Sequence, residues 1–329
     1  MSRYRDQVRD AVGAIDILGP MRYAWLGRRN RAQPAGSIDG LDARAQRDHL
    51  LAFLRQELYW SFYCRGAVVP ARWAQPTPMA ADIALARALA AANTGAGGWE
   101  PGWTVERIDG GDALVRSAGL RVRVSVSSCR ADGCPVAPGT RVSLPRPAHL
   151  AERRPGFLTI LGDAGDDDVS EVVRVYWHLI PRGAAALVGA LTKTLNAHAT
   201  PFRLKVANHP ARFDRCDAAV LYLPARDLKA LRPWLATVAT ELASWLRPAT
   251  PAFTLPLAPG VGLAEDRADG ESFGERRCSL VARGVLHADE HRVRSLPARI
   301  DAVAEEFARA GVDLDAPYLE PSLAGRHVL

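Results

Sequence analysis

The side chains best suited to chemistry cluster in the last third of the chain. His178 lies in the apolar run VVRVYWHLIP, and Lys205 in FRLKV. Arg212 and Arg215 precede the run DAAVLYLP, which contains Tyr222, and Arg276 and Arg277 follow a glycine-rich segment. A histidine moves protons near neutral pH, a lysine can act as a base once deprotonated, and arginines grip phosphate through paired N–H groups. Together these types suit proton transfer on a phosphorylated substrate. Each also has an ordinary reading. A histidine in an apolar strand is most often a satisfied structural residue. A strand lysine usually faces solvent, and Tyr222 alone would be core with its hydroxyl at the edge. Composition sharpens the lysine. Of 42 basic residues only Lys193, Lys205 and Lys229 are lysines. Where arginine serves nearly everywhere, a retained lysine points to a task that needs a proton to leave.

These residues need strands to hold them. The spacing predicts a strand at 172–181, a helix from Gly183 to about Ala197, and strands at 202–206 and 217–224. A helix is predicted from about Asp227 to Trp245, then a glycine- and proline-rich loop at 252–266, then GESFGERRC at 270–278. The segment 259–274 shows no clear helix after it and so does not read as a phosphate cradle. A last helix is predicted at roughly 296–310. Upstream, helical spacing covers 3–18, 41–63 and 78–93, and AANTGAGGWEPG at 91–102 reads as a linker. Period-two alternation then predicts a small antiparallel region to about residue 147, with Gly110-Gly111 as a turn. The polar run 162–171 separates it from the last third. The fold class expected is α+β: an N-terminal helical region, a small antiparallel β region, then a mixed α+β domain.

Composition narrows the function classes. The chain has 329 residues, 48% of them hydrophobic, enough for a sizeable core. No apolar run approaches the roughly 20 residues of a membrane helix, and the start MSRYRDQVRD is no secretory signal. A cytoplasmic protein is expected. Cys64, Cys129, Cys134, Cys216 and Cys278 are odd in number and unevenly spaced, arguing against a disulfide framework. Cys129 and Cys134 lack the second pair that a zinc site needs. Net charge is +6, and the most basic run, Arg28, Arg29 and Arg31, reads as a solvated surface rather than a nucleic-acid footprint. No HExxH, Walker, GxGxxG or GxSxG motif is present.

The runs VVRVYWHLIP, FRLKVANHP, RFDRCDAAVLYLP and AFTLPLAPGVGLAEDRADGESFGERRC resemble the HopA-type family of type III effectors and its bacterial relatives. Those relatives include the lyase component of class V lanthipeptide synthetases. GPMRYAWLGRR and LYWSFYC resemble the same relatives, so the likeness covers most of the chain and is strongest over 172–280. The family is more distantly similar to phosphothreonine lyases of pathogenic bacteria and to lyase domains of class III and IV lanthipeptide synthetases. That resemblance implies metal-free β-elimination of phosphate, without a cofactor. It implies His178 as general acid, Lys205 as general base, and Arg212 as a phosphate ligand ten residues before Tyr222. The lyase pattern has a lysine two residues before the histidine, where this chain has Tyr176; Arg174 or Arg277 could supply that charge. Arg215 would add to the phosphate ligands, and Tyr222 could orient Lys205 or donate to a phosphate oxygen.

The resemblance implies a substrate too: a phosphorylated precursor peptide, converted to dehydroalanine or dehydrobutyrine. A separate kinase, and a cyclase of the same pathway, would be partners. The expected organisation is a helical region at 1–95 binding leader or partner, and a lyase-like domain at 96–329 with its active site within 172–278. Two other classes stand beside this one. A phosphopeptide- or partner-binding scaffold that has lost the chemistry is suggested by Tyr176. A nucleic-acid binder rests on net charge alone and ranks last.

Overall fold

The computed structural model describes residues 2–29, 40–71, 78, 80–165, 171–267 and 271–329. Arg31 of the basic run, the acidic stretch 166–170 and Gly270 lie outside them. The first helix, α1 (Arg3–Gly13), buries Tyr4, Val8, Ala11 and Val12 along one face. It ends five residues before the predicted boundary. From Ile15 the burial pattern alternates, which suits a strand. That segment, β1 (Ile15–Gly19), pairs antiparallel with β2 (Arg22–Trp25), which pairs with β3 (Arg28–Arg29). The N-terminal region is therefore not wholly helical.

Helix α2 (Ala43–Ser61) starts where the Asp42 carboxylate accepts from the Ala45 N–H. Asp82 caps α3 (Ile83–Ala92) in the same way through Leu85. Each such cap contributes about 1 kcal/mol. A four-stranded antiparallel sheet follows, built from β4 (Gly98–Asp109), β5 (Asp112–Ser117), β6 (Leu120–Ser125) and β7 (Arg141–Arg146) in the order β6-β5-β4-β7. Gly110 and Gly111 both take positive φ in the β4–β5 turn, the backbone a two-residue hairpin favours. This sheet has its own small core around Trp103, Val105, Val115 and Val142.

The remaining strands are β8 (His149–Arg154), β9 (Phe157–Leu161), β10 (Glu171–Trp177), β11 (Arg203–Ala207), β12 (Ala219–Pro224), β13 (Leu255–Ala258) and β14 (Val261–Arg267). They form one seven-stranded antiparallel sheet in the order β13-β14-β10-β12-β11-β9-β8. Helices α4 (Ala184–Ala197), α5 (Leu228–Glu241), α6 (Phe273–Glu290) and α7 (Leu296–Arg309) complete the chain. Two more features differ from the sequence expectation besides the N-terminal hairpin and the strands β8 and β9, which follow the end of the expected β region. The segment 252–266 is a β13–β14 hairpin rather than a loop, and α6 begins directly after the glycine-rich segment. Ser272 and Glu275 form a reciprocal capping box at the α6 start, a signal of type S-x-x-E.

Alternation divides the large sheet into two faces. Val173, Val175, Trp177, Leu204, Val206, Leu221 and Leu223 share a core with Leu187, Leu191 and Leu195 of α4 and Leu228, Leu235 and Val238 of α5. Each buried side chain of this kind contributes about 1.5–3 kcal/mol. On the opposite face Tyr176, Val220 and Ala264 join residues of α1, α2, α6 and α7, including Phe273 and Phe307. Gly284 admits α7 to the surface of α6: a Cβ there would lie 2.5 Å from the Val303 Cα. Among the described residues, no helix is long and apolar enough to cross a membrane.

Candidate functional site

The polar side chains of the face towards α2 and α6 fall into rows because paired residues on neighbouring strands share a side. Arg174 of β10 pairs with Tyr222 of β12, and Tyr222 with Arg203 of β11. One step along, Tyr176 pairs with Val220, Val220 with Lys205, and Lys205 with Thr159 of β9. These two rows floor a cleft of about 310 Å³. Tyr59 of α2 and Tyr63, in the short turn just past the end of that helix, form one wall, while Ser272 and Glu275 at the α6 start, with Arg267 and Asp217, complete it.

Charge in the cleft is mostly positive. Arg174, Arg203, Lys205 and Arg267 face Asp217 and Glu275. Asp217 is already neutralised. Arg215 donates to both carboxylate oxygens, at 2.6 Å for Nη2 to Oδ2. Burial by itself would push the Asp217 carboxyl up, but the charge and hydrogen bonds of Arg215, with the Lys205 charge and a backbone hydrogen bond, together hold the group below its usual value. Tyr222 lies between two guanidiniums, Arg203 at 4.5 Å and Arg174 at 5.1 Å from the ring centre. The Lys205 Nζ sits 3.7 Å over the Phe157 ring, an aromatic platform for a cation. Arg174 also pairs with the fully buried Asp266, as does Arg276. Tyr63 and Tyr176 meet edge to face. Burial pushes the Tyr176 hydroxyl up to about 12 and Tyr63 well above its usual value, so both keep their protons.

Of the residues singled out from sequence, Lys205, Tyr222 and Arg174 line this cleft together; His178, Arg212, Arg215 and Arg277 do not. His178 follows the last residue of β10. Its Nδ1 lies 3.0 Å from the Ala249 carbonyl. A carbonyl only accepts, so that nitrogen carries the proton. Nε2 is buried without a hydrogen-bond partner among the described residues. Burial lowers the His178 pKa, with the Ala249 contact opposing it in part. Arg212 sits in a short turn and donates to the Pro78 carbonyl at 2.8 Å. It lies tight against Gly156, where a Cβ would fall 2.2 Å from the Arg212 Cζ. Arg215 stands behind the cleft, holding Asp217 and donating to the Tyr59 hydroxyl at 3.1 Å. Arg277 is 2% exposed and donates to the Pro317 and Leu319 carbonyls, each at 2.8 Å. It lines a neighbouring pocket of about 270 Å³ that shares Arg267 and contains Arg276 and Arg283.

Several cleft residues escaped the sequence reading: Arg203, Arg267, Asp217, Thr159, Tyr59, Tyr63, Ser272 and Glu275. Arg203 was findable, since it stands two residues before Lys205 in a strand and must share its side. Tyr59 and Tyr63 were findable as an i, i+4 aromatic pair.

The arrangement can bind a dianion between Arg174 and Arg203, and it sets an amine and several hydroxyls beside it. No curated protein matches the chain. The solved structures that resemble it include the effector proteins from Pseudomonas syringae pv. tomato strain DC3000 and pv. syringae strain 61. They have TM-scores of 0.40 and are 20% and 18% identical, each match covering 50% of this chain and 62% of the effector. The chain thus spans less than two thirds of those effectors. The model of the HopA1 effector protein family matches residues 149–319, the stretch that contains the seven-stranded sheet and nearly all of the cleft. The chain belongs to the HopA1 effector protein family.

Proposed function

We propose that the cleft binds a phosphoserine or phosphothreonine side chain of a peptide and eliminates its phosphate, leaving dehydroalanine or dehydrobutyrine. The observation that carries this reading is the row Arg174–Tyr222–Arg203 beside Lys205 on one sheet face. Two guanidiniums flanking a tyrosine suit a phosphate dianion, and the neighbouring amine can serve the carbon next to it. Lys205, as the neutral amine, takes the α-proton. The C–H electrons form the new double bond, and the β-carbon–oxygen bond breaks with its electron pair leaving on phosphate. That oxygen takes a proton from the Tyr222 hydroxyl, which the Lys205 ammonium restores. The products are the dehydro residue and hydrogen phosphate, with no change of oxidation state supplied from outside. In this reading the peptide is a precursor in lanthipeptide-type biosynthesis, phosphorylated by a separate kinase.

A second reading has one observation in its favour. His178 lies outside the cleft lining, with Nδ1 committed to Ala249. If elimination needs a histidine acid in place of Tyr222, the cleft is a phosphopeptide-binding scaffold. Mass spectrometry of a phosphothreonine peptide incubated with the purified protein separates the two. A peptide lighter by phosphoric acid supports elimination. One lighter by the phosphoryl group alone means hydrolysis and refutes the mechanism. An unchanged peptide that nonetheless binds, with the cognate kinase and peptide also tried, favours the scaffold.

A further inference from the structure

Far from the cleft, α6 ends in the run His287-Ala288-Asp289-Glu290-His291. Spacings of three and four residues put His287, Glu290 and His291 on one side of the helix end. One ligand atom from each lies within 4.8 Å of the others, and the two imidazole rings are 4.3 Å apart. From Glu275 at the cleft this place lies roughly 20 Å along the helix, at 1.5 Å per residue.

The local chemistry prepares these atoms for a cation. The His291 Nδ1 lies 2.9 Å from the His287 carbonyl. Since the carbonyl can only accept, Nδ1 bears the proton and Nε2 keeps its lone pair. A backbone carbonyl fixing the far nitrogen is the usual support of a metal-binding imidazole. The helix C-terminus carries partial negative charge. Glu290 pairs with Arg47 of α2, but both side chains are more than two-fifths exposed. A surface pair of that kind is weak and readily exchanged. His287 is half-buried while Glu290 and His291 are exposed, so an ion can reach all three.

We propose that His287, Glu290 and His291 form a binding site for a divalent transition-metal ion, with water completing the coordination. Two imidazoles and one carboxylate suit Zn²⁺, Ni²⁺ or Cu²⁺, not the all-oxygen preference of Mg²⁺ or Ca²⁺. Among the described residues this is the one group of three such ligands.

Calorimetric titration of the full chain, without a histidine tag and carrying Cys129→Ser and Cys134→Ser, tests it. Zn²⁺ or Ni²⁺ should bind at one equivalent and Mg²⁺ should not. His287→Ala and His291→Ala should each weaken binding by more than about tenfold, the scale that even supporting residues reach. Glu290→Gln should weaken it less, and the distant His198→Ala should leave it unchanged. Metal-free melting curves of the surface variants should match the parent, separating lost binding from lost folding. Absent binding, or binding that survives His287→Ala and His291→Ala together, would overturn the proposal.

Discussion

Replacing Lys205 by arginine separates elimination from binding. Arginine keeps the positive charge, can lie on the Phe157 ring as the Nζ does at 3.7 Å, and stays within reach of Asp217, whose carboxyl feels the Lys205 charge. Affinity for a phosphopeptide should therefore change little. The base should be lost. At pH 8 a lysine side chain free in water, with pKa about 10.4, is neutral in roughly one molecule in 250. Arginine, at about 12.5–13.8, is neutral in roughly one in 30,000 to one in 600,000. The ratio, on the order of 10²–10³, falls in the range by which a positioned general base accelerates a reaction. It corresponds to about 3–4 kcal/mol of barrier. Single-turnover conversion of a phosphothreonine peptide, followed by mass spectrometry, should thus slow about 10²–10³-fold. Fluorescence anisotropy should report near-unchanged binding of the same peptide. A Lys205→Arg variant that keeps more than about a tenth of the rate would refute the assignment of the base.

Further outcomes follow from the same geometry. Arg203→Ala and Arg174→Ala should each weaken phosphopeptide binding by about 1.5–3 kcal/mol, the worth of a hydrogen bond to a charged group. Arg174→Ala should also lower the melting temperature markedly, because it removes a charged partner of the fully buried Asp266. Asp217→Asn should destabilise the fold by about 3–5 kcal/mol in a denaturant titration, since it leaves the 3%-exposed Arg215 without its counter-ion. The His178 pKa is lowered in the folded chain. Its contribution is therefore present above the unfolded value of about 6.5 and is lost as pH falls through the folded value. The wild-type melting temperature should drop between pH 7.5 and 5.5 by more than that of His178→Gln. Gly284→Ala should cost about 1–3 kcal/mol through forced separation of α6 and α7, readable in the same melts.

The strands were legible because their apolar residues alternate, and alternation also carried part of the site. Lys205 and Tyr222 could be read as chemistry-bearing, and Arg174 as a spare charge, from residue type and strand phase. His178 shows where phase fails. It is in step with Arg174 and Tyr176, but β10 ends at Trp177 and the backbone of His178 turns to Gly260 and Arg247. Nothing local marks that ending. Arg212 shows the limit of spacing: it stands ten residues before Tyr222, yet the turn at 210–212 sends its guanidinium to Pro78. The helix α6 was missed because glycines and charges precede its apolar stripe, although Ser272 and Glu275 spell a capping box. The β1–β2 hairpin was hidden by an apolar spacing at Val8, Val12, Ile15 and Leu18 that fits a helix equally well.

Fold and site depend on the same register. Arg203 and Lys205 face the cleft while Leu204 and Val206 enter the core with α4 and α5. A slip of β11 by one residue would exchange them. Two cations would then enter an apolar layer without partners, at a cost far above the net stability of a domain. The apolar core therefore holds the two cations in place, and it does so with residues that never touch a substrate. The same holds across the sheet for Arg174 between Val173 and Val175. The row proposed to bind phosphate is thus preorganised by the hydrophobic alternation of three neighbouring strands. Substitutions such as Leu204→Lys, which blur that alternation, should impair phosphopeptide binding through register and folding before any cleft residue is altered.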